Sequence, residues 1–171
     1  MWRQLLVTFV MAAALCALYS VIFHFSDQDG GESSSISWTI SGKWAEFLNF
    51  ISGSGRDAEA TAEMASYFEY PLRKFAHFSE YTCMGILVYI LWSQWIRQGR
   101  RLWFLTCLWV FFSAAGDELH QYFVPGRCAS MQDVFLDTCG GIFGIFFCFV
   151  IYGLYSRRKR KAERLTEGSS G

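Results

Sequence analysis

The chain reads as an all-α membrane protein with four transmembrane helices and a long extracytoplasmic loop between the first and second. Three observations predict this. Of its 171 residues, 53% are hydrophobic and 19% aromatic, while only 18% are charged, against about 25% in soluble domains. Four long stretches carry no Asp, Glu, Lys or Arg at all, and the basic residues fall unevenly along the chain. This apolar content excludes a disordered chain, and no repeat period is present. The formal net charge of zero argues against a nucleic-acid or other bulk polyanion partner. The length suits one domain, 1–161, followed by a polar tail, 162–171, expected to be disordered.

The spans are read at about 5–25, 75–96, 102–122 and 134–155. Residues 5–25 are 21 in a row without a charge, close to the roughly 20 needed to cross a bilayer as helix. That run exceeds a signal-peptide core, and Phe23-His24-Phe25-Ser26 is no small-residue cleavage site, so it reads as a retained span. The charge-free runs 81–96, 102–116 and 138–156 hold 16, 15 and 19 residues. The first two of these reach spanning length only by extending into polar flanks, which brings ionisable groups to the membrane edge.

Charge orients the bundle. With both termini cytoplasmic, the inner segments hold Arg3, Arg97, Arg100, Arg101 and six basic residues between 157 and 164, ten of the 15 in the chain. The outer segments hold the other five and most of the acids. Lys and Arg concentrate on the cytoplasmic side of membrane proteins, so the chain is expected to be a multi-pass cell-membrane protein with its polar site facing outward. The basic run beside the last span reads as a lipid-contacting anchor. Five of the six cysteines lie in apolar runs and no CxxC pair occurs, which supports neither a disulfide framework nor a zinc cluster.

In the long loop, Gly30-Gly31-Glu32-Ser33-Ser34-Ser35 reads as flexible. Trp44, Phe47, Leu48 and Ile51 follow the helical period, as do Ala60, Met64, Tyr67 and Phe68. Two short amphipathic helices, lying on the leaflet or covering the mouth of the bundle, are expected there.

Three polar groups then meet at one membrane face. On the second span Lys74, His77 and Tyr81 share a helix face, with Glu80 beside His77. The third span ends in Asp117, Glu118, His120 and Gln121, and Pro125-Gly126 turns the chain to present Arg127. Ser130 and Asp133 lead into the fourth span, where they fit either a site or a capping-box start. Gly140 and Gly144 read as helix-packing positions, Arg73 as an interfacial anchor and His120 as a bystander. Charges at a membrane edge are costly and tend to be paired or functional. The catalytic candidates are His77, Glu80, Asp117 and Glu118; the binding candidates are Lys74, Tyr81, Gln121, Arg127, Ser130 and Asp133.

The series Lys74-x-x-His77-Phe78-x-Glu80-Tyr81, then Asp117-Glu118-x-x-Gln121-x-Phe123-x-Pro125-Gly126-Arg127-x-x-Ser130-x-x-Asp133, resembles the VanZ-like family, as does Ser26-x-Gln28 at the end of the first span. Asp137 stands where that family usually has Asn, and its role stays open. The resemblance implies an association with teicoplanin resistance through the family's namesake, without a settled reaction. Three mechanisms follow from the residues. An anionic lipid-linked or cell-wall precursor could be gripped by Arg127 and Lys74. An enzyme could use His77 as base or metal ligand, with Glu80, Asp117 or Glu118 as ligands or proton carriers. A non-catalytic envelope scaffold could hold the same groups as a structural ion-pair network. No metal motif is specific enough to assign ligands, so the cofactor and the oligomeric state are left open.

Overall fold

The computed structural model describes residues 1–168, with side chains as far as residue 159 apart from Glu32. Among these residues the chain forms five helices and no strand: α1 (Trp2–Ser26), α2 (Gly30–Ser52), α3 (Ala58–Ser93), α4 (Arg100–Tyr122) and α5 (Met131–Gly168). The tail expected to be disordered is helical in its backbone through Gly168, and its last three residues lie outside the described part.

Three helices, rather than four, are long and apolar enough to cross a bilayer: Trp2–Ser26, Arg100–Tyr122 and the Met131–Lys159 part of α5. The second predicted span lies in the C-terminal half of α3. It falls outside that set because His77, Ser79, Glu80 and Thr82 interrupt its apolar run. At about 1.5 Å per residue, the 36 residues of α3 are nearly twice as long as a bilayer core is thick.

The segment between the first and second predicted spans is not an open loop. It is a helical hairpin, α2 against the N-terminal half of α3, and α3 then continues unbroken through Pro71. Asp57 caps α3 by accepting from the Ala60 N–H at 2.9 Å, satisfying one of the free donors of the first turn. The stretch expected to be flexible, Gly30 to Ser35, is the first turn and a half of α2. Its start is docked: the Gly30 N–H donates to the Pro125 carbonyl at 3.2 Å, and a Cβ at Gly30 would stand 2.3 Å from the Gly126 oxygen. Ser37, Ser41, Ala45 and Ala65 are the buried residues of the hairpin, whereas Trp44, Phe47, Ile51 and Tyr67 from the two predicted stripes are exposed. Small side chains let two helices close on each other, and Leu48, Ala60, Met64 and Phe68 of the same stripes are half-buried.

Helix α3 is the hub and packs against each of the other four, most extensively against α5. Glycines set that approach. A Cβ at Gly140 would lie 2.4 Å from the Phe78 oxygen, and one at Gly85 2.2 Å from the Gly141 oxygen. The Thr82 hydroxyl uses the proximity to donate to the Gly140 carbonyl at 3.0 Å. Around this seam Tyr81, Met84, Val88, Val110, Ala114 and Ile145 form the core.

Candidate functional site

The closeness of α3 and α5 brings the polar face of α3 against the first turns of α5 and the last turns of α4. His77 on α3, Asp117 on α4 and Asp137 on α5 each present a ligand-type atom, all within 4.8 Å of one another. Asp137 is 0% exposed and Asp117 5%. His77 Nδ1 stands 4.0 Å from Asp137 Oδ2, beyond hydrogen-bonding reach. Among the described residues, His77 Nδ1, Asp117 Oδ1 and both carboxylate oxygens of Asp137 are buried without a hydrogen-bond partner. Buried polar atoms are almost always satisfied, so four orphans at one point mark this cluster out.

The second oxygen of Asp117 is held. Gln121, one helical turn on, donates to Asp117 Oδ2 at 3.1 Å, and Arg127 Nη1 donates to Gln121 Oε1 at 3.3 Å. Because a guanidinium only donates, it fixes which end of the Gln121 amide faces Asp117. Arg127 also donates from Nε to the Gln28 carbonyl at 3.1 Å and from Nη2 to the Phe25 carbonyl at 2.7 Å. Burial and the nearby Arg73 charge lower its pKa from the ordinary value while Asp117 and Glu118 oppose them; a guanidinium keeps its charge at physiological pH regardless.

Glu118 and Ser130 are joined differently from the capping-box expectation. The Ser130 N–H donates to Glu118 Oε2 at 2.8 Å, so a carboxylate from α4 satisfies it. Asp133, whose side chain would close that box, is ion-paired with Lys74 instead, and the Lys74 ammonium also lies 5.2 Å from the centre of the Tyr70 ring. Tyr81 is fully buried and its hydroxyl donates to the Ser113 carbonyl at 3.4 Å. His120 links the ends of α4 and α1, 3.4 Å from the Ser26 hydroxyl.

A cavity of about 430 Å³ opens beside the cluster, between α1, α2 and α3. Ile22, Phe25, Ile36, Ile40, Leu72 and Phe75 supply apolar lining, and Gln28, Arg73, His77, Glu80 and Arg127 polar lining. The candidates therefore divide. His77, Asp117 and Gln121 meet at the core of the cluster; Lys74, Asp133, Glu118 and Ser130 form pairs on its rim; Glu80 lies on the cavity wall.

The sequence places Asp137 with Ser130 and Asp133 at the entry to the fourth span and leaves its role open; the structure sets it beside His77 and Asp117. Arg73 reads as an interfacial anchor in the sequence, where nothing local shows that α2 and α3 build a cavity at it.

A sequence model described as VanZ/LLP1 matches residues 10–152, a stretch that contains every residue of the cluster and of the cavity. No curated protein and no solved structure matches the chain. With most of its length accounted for by that one match, the chain belongs to the VanZ/LLP1 family.

Proposed function

We propose that this protein crosses the cell membrane four times and binds an anionic-headed amphiphile of the cell envelope at its outer face. The fourth crossing, by the C-terminal half of α3, is supported by parity. Ser26 at the end of α1 meets His120 at the end of α4, and Thr8 near the start of α1 accepts a 3.0 Å hydrogen bond from Trp95, just before α4. If α1 and α4 both cross, the chain between Ser26 and Arg100 must return once through the bilayer, and α3 is the helix that lies between them. The polar cluster is then at the end opposite Arg3, Arg97, Arg100 and Arg101, which the distribution of Lys and Arg assigns to the outside.

The cavity carries the ligand reading. Its volume lies within the range of small-molecule sites, with apolar lining suited to acyl or prenyl methylenes and cationic residues suited to a phosphate or carboxylate. Arg73 makes no hydrogen bond or ion pair among the described residues, so it is the cation available to the ligand, whereas the Arg127 fork is engaged with Phe25, Gln28 and Gln121. A catalytic role on the same ligand is favoured by one observation: His77 both lines the cavity and faces Asp117 and Asp137.

The test is binding of a polyprenyl monophosphate and of the corresponding uncharged polyprenol to the full chain in detergent. The phosphate is expected to bind about tenfold tighter or better, as one charge-assisted hydrogen bond provides. Arg73→Gln should erase that preference, and Ala76→Trp, which fills the cavity mouth, should weaken both ligands. Equal binding of the two by wild type would refute the reading. Expression in a sensitive Gram-positive host, scored against teicoplanin and vancomycin, asks whether ligand binding also protects against a lipoglycopeptide.

A further inference from the structure

We propose that His77, Asp117 and Asp137 together bind one divalent transition-metal ion of the zinc or manganese class, joining α3, α4 and α5 beside the cavity. Three ligand-type atoms from three helices lie within 4.8 Å of one another. Ligands held about 2.0–2.2 Å from such an ion stand roughly 3–4 Å apart, so a small inward movement of side chains completes the set.

The unpartnered oxygens ask for a cation. Two carboxylates are almost wholly buried here, Asp137 at 0% and Asp117 at 5% exposure. Neither oxygen of Asp137 accepts a hydrogen bond from any described residue, and the free oxygen of Asp117 accepts none either. Lys74 is committed to Asp133 and Arg127 to Gln121 and two carbonyls, and Arg73, on the cavity wall, pairs with neither acid. His77 Nδ1, at 4.0 Å from Asp137 Oδ2, makes no hydrogen bond to it. Buried polar atoms are almost always satisfied, and one dication would give these orphaned atoms a partner at once.

Asp117 is also set up as a ligand. Gln121 holds its Oδ2, leaving Oδ1 without a protein partner, and Arg127 fixes Gln121 in turn. Metal-binding carboxylates are commonly oriented by such hydrogen bonds to their other oxygen. One imidazole nitrogen with two carboxylate oxygens suits zinc, manganese or iron(II) better than calcium or magnesium, which prefer oxygen alone. Three protein ligands leave a further coordination position, and His77 lies on the cavity wall, so that position can face the cavity.

The experiment uses the full chain in detergent, stripped with EDTA and reloaded with Zn²⁺ or Mn²⁺, with no envelope component present. Metal binding is thus read independently of the amphiphile. Wild type should retain about one ion per chain after desalting, and its melting temperature should rise by about 5–10 °C at a hundredfold excess over Kd. Asp137→Asn and Asp117→Asn should each lose at least tenfold in affinity, while Glu118→Gln, an acid of the same region outside the trio, should keep it. No stoichiometric uptake by wild type, or equal uptake by Asp137→Asn, overturns the proposal. If Asp137→Asn does not fold, Co²⁺ on wild type decides: protein-induced visible bands displaced by Zn²⁺ support the site, and their absence overturns it.

Discussion

The Arg127 guanidinium donates a 2.7 Å hydrogen bond to the carbonyl oxygen of Phe25, a residue 102 positions earlier in the chain. With its bond to the Gln28 carbonyl just beyond the helix, it closes the last turn of α1 onto the α4–α5 connection, supplying a donor to the Phe25 carbonyl that the helix end leaves unsatisfied. Arg127→Lys should break this tie, since one ammonium cannot serve Phe25, Gln28 and Gln121 together. A loss of about 1–2 kcal/mol is expected at this half-buried position, visible as a melting temperature lower by about 2–8 °C. An unchanged melt would mean that the three bonds contribute nothing over water.

Two glycines of similar appearance should behave oppositely. At Gly85 a methyl group would meet the Gly141 carbonyl oxygen at 2.2 Å, whereas at Gly116 nothing lies within 4 Å. Gly85→Ala should therefore push α3 and α5 apart at a cost of about 1–3 kcal/mol. Gly116→Ala should be neutral or stabilising by up to about 1 kcal/mol, because alanine is the better helix former. Paired thermal melts in one detergent compare them directly.

The Lys74–Asp133 ion pair is about one-fifth exposed on each side, so water screens part of it. A double-mutant cycle with Lys74→Met and Asp133→Asn should return a coupling of about 0.5–2 kcal/mol. Strict additivity would show that the two helices are held by packing alone.

Glu118 acts as an acceptor for the Ser130 N–H, a task that needs an oxygen and no charge. Glu118→Gln should melt within about 0.5 kcal/mol of wild type. Glu118→Ala, which leaves a partly buried donor unsatisfied, should lose about 1–3 kcal/mol. Equal losses in the two variants would point to the negative charge instead.

Much of this was legible along the chain. The charge-free run at 5–25 became α1, the periodic Lys74, His77 and Tyr81 fall on α3, and the small residues at 140 and 144 became its contact with α5. The two helical periods of the 30–70 segment lie in α2 and α3, and only its start, expected to be flexible, differs, for a physical reason. Gly30-Gly31 and the serines have weak helix propensity, and what holds them is remote: the Gly30 N–H bonds to Pro125 and no residue larger than glycine fits against Gly126. Helix α3 also runs through Pro71, at the loss of one backbone hydrogen bond.

Composition by itself determined that this chain lives in a membrane and which ends gather positive charge, because transfer into lipid depends on local runs of side chains and needs no knowledge of neighbours. Only the tertiary structure decided which acids meet. Along the chain Asp137 is an acid one turn after Asp133, and the glycine-lined approach of α5 to α3 sets it beside His77 and Asp117. The electrostatics of a buried carboxylate are governed by what lies within a few ångströms, and those neighbours come from three different helices.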